Sequence, residues 1–473
     1  MTQLLQATTQ LDQPLLRKTD AWNHQLEAYR FAYEKRGAML AICMGGGKTK
    51  VVIDLIANRG HNRILIVCPV SVRGVWPREF EKHAATHCNI KILDRGTTAN
   101  KADTVATFLR QYGSVSEPLV VVVNYEAVWR KPLGDVLLAA GFDCAILDES
   151  HRIKSPGGKA SRWCQRLGRV VPWRLCLTGT PMPHSPLDLY GQYRFLSPEV
   201  FGTNFCVFRN HYAICHPEYK SQVQKWINQD ELHQKFYSRA IRCKASDVLD
   251  LPPATDHTRT CRMPPAAERI YRELHDEMVV EVEKGVVTAA NVLVKLLRLQ
   301  QISSGYLPVG DDGEFQELHT AKKDVLADLL ADLDLAEPVV VFCRFRRDLD
   351  AVRDVAEKTG RRYGELSGRQ HDLTDHATMP EGIDLYGVQW QSGGVGIDLT
   401  RACYCVMYSH TFSLGDYHQA KARLVRPGQT RPVQFYHLLA EKTVDFAIYG
   451  ALRKRRNLVD GILESLKEAT LWA

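Results

Sequence analysis

Over the first two hundred residues, short all-apolar runs alternate with longer stretches whose apolar positions recur every three or four residues. The runs 38–42, 63–69, 119–124, 143–147 and 174–177 are strand-sized and lack polar alternation, the pattern of strands buried on both faces. Stretches 22–33 and 48–56 carry the helical period instead. Alternation of this kind predicts a parallel sheet, which binds ligands at the carboxyl ends of its strands. Polar groups fall at those ends: glycines after the first run, Tyr125 and Glu126 after the third, Asp148 to His151 after the fourth, and Thr178 to Pro181 after the fifth. From Pro181 to Glu337 the pattern reads as long helices rather than alternation, and a new apolar strand opens at Val339. Residues 1–20 have no clear period and read as a loose lead-in.

The turn Met44-Gly-Gly-Gly-Lys-Thr49 joins the first strand to a helix. Amides freed at Gly45, Gly46 and Gly47, with the helix N-terminus, make a cradle for phosphate; Lys48 is aimed at the β- and γ-phosphates and the Thr49 hydroxyl at magnesium. The full G-x-x-x-x-G-K-[ST] pattern is not met, because Ile42 holds the first glycine position. A glycine-rich turn that happens to precede Lys-Thr is the alternative until other motifs follow in order. Upstream, the Gln25 amide can match both the donor and the acceptor of an adenine edge. Asp148 ends an apolar strand, as expected of a magnesium-holding carboxylate, and Glu149 is the candidate for orienting and polarising the attacking water. The pair follows the glycine turn by about a hundred residues and precedes Thr178-Gly-Thr-Pro181 by about thirty, the order a nucleotide-driven motor requires. Late in the chain, Gln419, Arg423 and Arg426 fall at i, i+4 and i+7 on one helix face that Pro427 and Gly428 terminate. Two guanidiniums held on a rigid face can meet a developing phosphate charge.

Length and composition narrow the picture. A chain of 473 residues exceeds one ordinary core and predicts two or three domains. No apolar run is long enough to cross a membrane and no signal-peptide pattern opens the chain, which reads as cytoplasmic. The thirteen cysteines are scattered without a C-x-x-C pair; Cys206, His211, Cys215 and His216 are metal-ligand types at a spacing that matches no zinc site, and reduced, mostly buried thiols are the better reading. The net charge of +7 divides as +9 over residues 1–200, −7 over 201–400 and +5 over 401–473, so a polyanion partner suits the outer thirds. The basic run from Arg453 to Arg456 reads as a polar helix face, since Ile448, Leu452, Leu458 and Ile462 flank it at helical spacing.

Taken together, the glycine turn, Asp148-Glu-Ser-His151 and Thr178-Gly-Thr-Pro181 resemble motifs I, II and III of superfamily-two helicases. Asp148-Glu-Ser-His-Arg-Ile-Lys154, with Lys159 and Ser161 beyond, narrows the resemblance to the Swi/Snf-type ATPases, and Cys68-Pro-Val-Ser71 with Trp76 and Glu79 is similar to that family's motif Ia. Residues 236–244 and 248–253 resemble the linker between its two lobes, residues 296–302 a helix of its inserted region, and Lys322 or Lys323 precedes the second lobe. Val388-Gln-Trp-Gln-Ser-Gly-Gly-Val-Gly-Ile-Asp398 resembles motif V, and residues 419–429 resemble motif VI. The resemblance covers about residues 20–450. It departs from the family pattern at Ile42 and Cys43, where Asp-Glu is usual, at Ala422 for a small glycine, at Asp398 for asparagine, and at Ser409-His410, where many members are acidic.

The resemblance implies an α/β fold of two RecA-like parallel-sheet lobes with helical insertions between them: a lead-in over 1–20, lobe 1 over 21–195, helical protrusions and linker over 196–320, and lobe 2 with a C-terminal helix over 321–473. It implies ATP and Mg2+ as cofactors. Lys48, Asp148, Glu149, Arg423 and Arg426 would be catalytic; Gln25, Gly45, Gly46, Gly47, Lys48, Thr49, Gly396 and Asp398 would bind nucleotide; Thr49 and Asp148 would hold the metal. Ser71, Arg73, Lys154, Arg344 and Ser392 would contact nucleic acid. The activity implied is that of a compact bacterial, viral or annealing-helicase-like member: a monomeric DNA-dependent ATPase that tracks the phosphate backbone of double-stranded DNA without sequence preference and remodels protein–DNA or branched DNA structures. Rival readings are a strand-separating DNA or RNA helicase of the same superfamily, and an ATP-gated DNA-binding switch or recruitment module.

Overall fold

The computed structural model describes residues 15–113, 116–183, 185–216, 223–283, 289–309, 314–374, 377–392 and 396–454. The chain divides into two compact units, Met1–Leu249 and Asp250–Ala473. In the first, strands β1 (Gly37–Ile42), β2 (Arg63–Cys68), β3 (Asn89–Ile92), β4 (Leu119–Asn124), β5 (Cys144–Asp148) and β6 (Trp173–Leu177) lie in one parallel sheet. After a small antiparallel hairpin, β7 (Ala213–Cys215) with β8 (Val223–Trp226), strand β9 (Ala240–Cys243) completes it. The order is β3-β4-β2-β5-β6-β1-β9, with every pair parallel.

The runs are apolar throughout because each face of the sheet has its own core. Met39, Ala41, Leu65, Val67, Val121 and Val123 face one layer, which includes Trp163, Tyr193 and Phe195. Their neighbours Leu40, Ile42, Ile64, Ile66, Val120 and Val122 face the other, with Tyr29, Val52, Trp76 and Phe80. Of residues 1–20, those from 15 on are described, and there the Leu16 amide donates to Asn58 Oδ1 at 2.8 Å, and Asn58 Nδ2 donates back to the Leu16 carbonyl at 2.8 Å.

The second unit repeats the plan. Strands β10 (Ala254–Cys261), β13 (Val339–Cys343), β14 (Tyr363–Leu366), β15 (Leu385–Gln389), β16 (Tyr404–Met407) and β17 (Val433–Ala440) form a parallel sheet ordered β10-β17-β16-β13-β15-β14. Between β10 and β13, β11 (Tyr306–Val309) and β12 (Glu314–Glu317) form a separate hairpin. Val340, Phe342, Val388, Met407 and Phe435 face one core, and Val339, Val341, Leu385, Val406 and Leu438 the other. Ile448 and Leu452 of the helix Val444–Lys454 are buried in the first of these, as their spacing predicts; Arg455, Arg456, Leu458 and Ile462 lie outside the described residues.

The middle of the chain differs from the all-helical expectation. Helices Phe205–Tyr212, Gln229–Arg239, Pro265–Glu283 and Ala289–Ser303 are there, but so are six strands, and two of them join the main sheets. β9, inside the stretch that resembles a linker, pairs with β1, and β10 pairs with β17 along its whole length. Both are edge strands. β9 is four residues long and contains an arginine, while β10 is exposed at seven of its eight positions, so neither shows the apolar run by which a buried strand is recognised. Among the described residues, no helix is long and apolar enough to cross a membrane.

Candidate active site

From Ile42 at the end of β1, the chain turns through Cys43 to Gly47 into the helix Lys48–Arg59. Gly45 and Gly47 take φ of 76° and 75°, the left-handed region that glycine enters without cost. A Cβ on Gly46 would stand 2.6 Å from Ile42 Cγ2, and one on Gly47 2.1 Å from Gln25 Nε2. The turn is therefore packed from below as well as conformationally demanding. Its middle carbonyl, that of Gly46, is held by His24 Nε2 at 2.9 Å and Gln25 Nε2 at 3.3 Å, while Gln25 Oε1 accepts from the Trp22 amide at 2.9 Å. The Nε2 half of the Gln25 amide thus braces the turn, while the Oε1 half caps the start of its own helix, Asn23–Tyr33. His24 does the same work and was not singled out from the sequence; nothing in the helical period of 22–33 marks one polar residue there as the support of a turn twenty positions away.

Lys48 Nζ lies inside the turn, donating to the Ile42 carbonyl at 3.0 Å and the Cys43 carbonyl at 3.2 Å. Ile42 and Cys43, the residues that depart from the family pattern, serve this lysine through backbone oxygens, which any side chain supplies. Thr49 follows in the first turn of the helix.

Asp148 is the last residue of β5, which lies between β2 and β6. Burial, then the neighbouring Glu149 charge, push its carboxyl up to about 7, against the opposing pull of Lys48 and the Glu149 amide. That amide donates to Asp148 Oδ1 at 3.0 Å. Glu149 has φ 51° and ψ 52°, a left-handed backbone that costs a non-glycine residue free energy and marks a position held by its surroundings. Its Oε2 lies 3.3 Å from His151 Nδ1, and the same nitrogen lies 3.3 Å from the Thr178 hydroxyl. Ser150 donates to Gln192 Oε1 at 2.8 Å, and Gln192 Nε2 donates to the Pro181 carbonyl at 2.7 Å. The groups at the ends of β5 and β6 are therefore tied twice, once through His151 and once through Gln192, a fully buried residue that sequence reasoning missed.

In the second unit the helix Leu414–Leu424 starts at Ser413, whose hydroxyl accepts from the Asp416 amide at 3.2 Å. Arg423 sits in its last turn, and the Arg423 carbonyl accepts from the Leu399 amide at 3.1 Å. Arg426 does not share its helix face as the i, i+7 spacing predicts: the helix ends at Leu424 and Val425 leaves the helical region at φ −95° and ψ 85°, since Arg426, the residue before Pro427, is disfavoured in a helix. Arg426 Nη1 lies 3.4 Å from the Ile397 carbonyl and 3.9 Å from Asp398 Oδ2. Asp398 Oδ1 meanwhile accepts from the Thr400 amide and hydroxyl at 2.9 and 2.7 Å. Gly396, Asp398, Arg423 and Arg426 thus come from two segments that lie side by side. Gly393 and Gly394 are outside the described residues.

The nucleic-acid candidates sit at or just past strand ends. Ser71 is in the short turn Val70–Val72 after β2, and Arg73 beside it donates to the Leu93 carbonyl at 2.8 Å and the Val70 carbonyl at 3.2 Å. Lys154 closes the turn Ser150–Ile153, its amide donating to the His151 carbonyl at 3.1 Å. Arg344 follows β13; its amide donates to the Ser409 hydroxyl at 2.8 Å and its guanidinium lies 3.9 Å over the Phe412 ring, with burial lowering its pKa to about 10. Ser392 lies three residues past β15, its amide donating to the Gln389 carbonyl at 2.9 Å. The Cys206, His211, Cys215 and His216 set forms no metal centre: His211 pairs with Glu231 at 2.7 Å, and among the described residues no group of three His, Cys, Asp or Glu side chains could hold a metal.

A family model described as the SNF2-related domain matches residues 16–305, and one described as the helicase conserved C-terminal domain matches residues 321–428. The chain belongs to the SNF2-related family. The resemblance to Swi/Snf-type ATPases of helicase superfamily two therefore holds, and with it an α/β fold of two RecA-like parallel-sheet lobes. Family membership implies nucleotide use. This SNF2-related chain is 26% identical over 451 residues to Chromodomain-helicase-DNA-binding protein 1-like of Danio rerio, covering 91% of itself and 42% of that protein. It is 26% identical over 460 residues to DNA annealing helicase and endonuclease ZRANB3 of Bos taurus, covering 94% of itself and 40% of that protein. To Putative protein p41 of Acyrthosiphon pisum secondary endosymbiont phage 1 it is 25% identical over 463 residues, covering 90% of itself and 94% of that protein. It spans about half the length, or less, of the longer curated relatives it matches. Among solved structures it is similar to the Sulfolobus solfataricus SWI2/SNF2 ATPase core in complex with dsDNA, at 22% identity and a TM-score of 0.45, covering 96% of this chain and 95% of that one.

Proposed function

We propose that this SNF2-related chain is a DNA-dependent ATPase that translocates on double-stranded DNA and remodels protein–DNA or branched DNA structures. The observation that carries the reading is the Lys48 ammonium held inside a left-handed glycine turn, acting on the Asp148 carboxyl, in a chain matched by its family model over residues 16–305. Relatives named for DNA binding and DNA annealing support the choice of DNA.

The residues fit ATP with magnesium. The Gly46 amide is given to the Cys43 carbonyl at 3.2 Å, but the turn leads directly into the N-terminus of the helix Lys48–Arg59, whose first amides suit an anion, and a buried carboxyl beside a lysine is a site where a divalent cation offsets an otherwise costly charge. Thr49 and Asp148 would hold that cation, which neutralises charge on the phosphates when bound. Lys48 draws charge from the β- and γ-phosphates, and Glu149, fixed in its left-handed conformation, aligns the attacking water and receives its proton. Arg423 and Arg426 stabilise the negative charge that develops during transfer. Gln25 keeps the turn in shape through Gly46, and Gly396 and Asp398 complete the nucleotide contacts. Ser71, Arg73, Lys154, Arg344 and Ser392 supply backbone-directed contacts to DNA, which carry no sequence information and weaken with salt.

ATPase rates measured side by side with duplex DNA, single-stranded DNA and RNA test the proposal. Duplex should stimulate most, and the protein should displace a triplex-forming strand while unwinding little of a forked duplex. Stimulation by single strands or RNA with efficient fork unwinding would move the assignment to a strand-separating helicase. ATP-dependent duplex binding without triplex displacement would make the chain a switch.

A further inference from the structure

Lys421 lies two residues before Arg423 on the helix Leu414–Leu424, about 200° round the helix axis, so it faces away from that arginine. Its ammonium lies 4.3 Å over the Phe435 ring of β17 and donates to both carboxylate oxygens of Asp256 on β10, at 2.7 and 2.8 Å. Asp256 Oδ1 also accepts from His437 Nε2 at 2.9 Å. That imidazole is fully buried, lies 4.2 Å from the Tyr449 ring, and has its Nδ1 2.9 Å from His410 Nε2. The His410 carbonyl in turn accepts from Gln300 Nε2 at 2.8 Å, on the helix Ala289–Ser303. With Nε2–H given to Asp256, His437 Nδ1 is the acceptor and His410 Nε2 the donor, which fixes both tautomers. One carboxylate thus closes a chain from a distant helix through two strands to the arginine helix. Burial raises the Asp256 carboxyl, but the His437 hydrogen bond and the Lys421 ammonium outweigh it and hold it down to about 2, so it is charged at any working pH.

We propose that Asp256 is a positioning residue for the arginine helix: through Lys421 it sets the rotation of Leu414–Leu424 about its axis, and so where Arg423 in its last turn is held, which rests on the reading of that arginine given above. The magnitude makes this consequential. A rotation of about 10° carries a guanidinium at the end of its side chain by about 1 Å, and misplacement of that size costs up to about 10²-fold in rate. No local feature marks Asp256, which sits on an exposed edge strand 165 residues from Lys421.

The test compares the full chain with Asp256→Asn, Lys421→Met, their double variant, the charge-swapped double Asp256→Lys/Lys421→Asp, and Arg423→Ala. Duplex-stimulated turnover, ATP KM and amide hydrogen exchange are read in each. Asp256→Asn and Lys421→Met should each lower kcat about five- to tenfold with KM within about twofold, the double should be no worse than either single, and the swap should recover at least about half the lost rate. Normal turnover in Asp256→Asn, or losses that multiply in the double, overturns the inference. Asp256 is 38% exposed and the methionine side chain of Lys421→Met would still reach the Phe435 ring, so both variants should fold, which hydrogen exchange over the rest of the chain checks. Normal turnover in Arg423→Ala overturns the arginine reading instead; the tie is then judged by exchange, upheld if amides of residues 414–424 exchange faster in Asp256→Asn and overturned if they do not.

Discussion

The two units share one skeleton and build their chemistry differently. In the first, the decisive groups are set by backbone: Gly45, Gly47 and Glu149 all take left-handed φ at the ends of strands, and Lys48 is held by two main-chain carbonyls. In the second, the groups are set by side chains: Arg426 faces Asp398, Lys421 grips Asp256, and Lys322 pairs with Asp445 at 2.7 Å where both are fully buried. Backbone-built sites tolerate little, because any side chain at Gly45 or Gly47 is strained by the left-handed φ whatever the space around it. Sites held by side chains can be loosened by degrees. The first unit therefore resembles a mould and the second an adjustable mount.

The comparison can be broken most severely at Lys48. Lys48→Ala should lower turnover at least ~10²-fold, since the cation is lost from the phosphates, whereas Glu149→Gln should keep nucleotide binding and trap the bound state. Turnover and labelled-nucleotide binding in both variants check this, and near-normal turnover in Lys48→Ala would remove the first unit's role. The next largest effect is on stability. Asp445 accepts from Ser303 at 3.1 Å and the Ala440 amide at 3.1 Å besides pairing with Lys322, so Asp445→Asn should cost about 3 kcal/mol by leaving a buried ammonium unpaired. Denaturant unfolding should show that loss in the transition of the second unit alone.

Arg423→Ala and Arg426→Ala should each reduce duplex-stimulated kcat by roughly 10- to 10²-fold while ATP affinity stays within about twofold, because the contribution is made mainly in the transition state. Affinity falling in step with rate would return either arginine to the role of surface charge. The smallest effect sharpens the mould itself. His24→Ala removes one of two donors to the Gly46 carbonyl, and with Gln25 retained the cost should be about 1 kcal/mol, seen as a few-fold rise in ATP KM. A loss as large as that of Lys48→Ala would mean that the turn depends on side chains after all.

By itself the sequence determined the interior strands of the first sheet, β13 of the second, and the chemical groups at their ends. β4 is predicted at Leu119–Asn124 and found there, because a strand covered on both faces must be apolar throughout, and that requirement is written in consecutive residues. The order of glycine turn, Asp148-Glu149 and Thr178-Gly-Thr-Pro181 is likewise local, whereas the helix face expected for Arg423 and Arg426 is not found, because the helix ends at Leu424. Tertiary structure alone decided the sheet edges and the braces. β10 is polar because its side chains are exposed at seven of eight positions, so no core requires an apolar run there and only pairing with β17 makes it a strand. His24 beneath Gly46, Gln192 beneath Pro181 and Asp256 beside Lys421 act through hydrogen bonds between residues far apart in the chain. Such bonds require a donor and an acceptor at one point in space, and no spacing along the sequence records where the folded chain will bring them together.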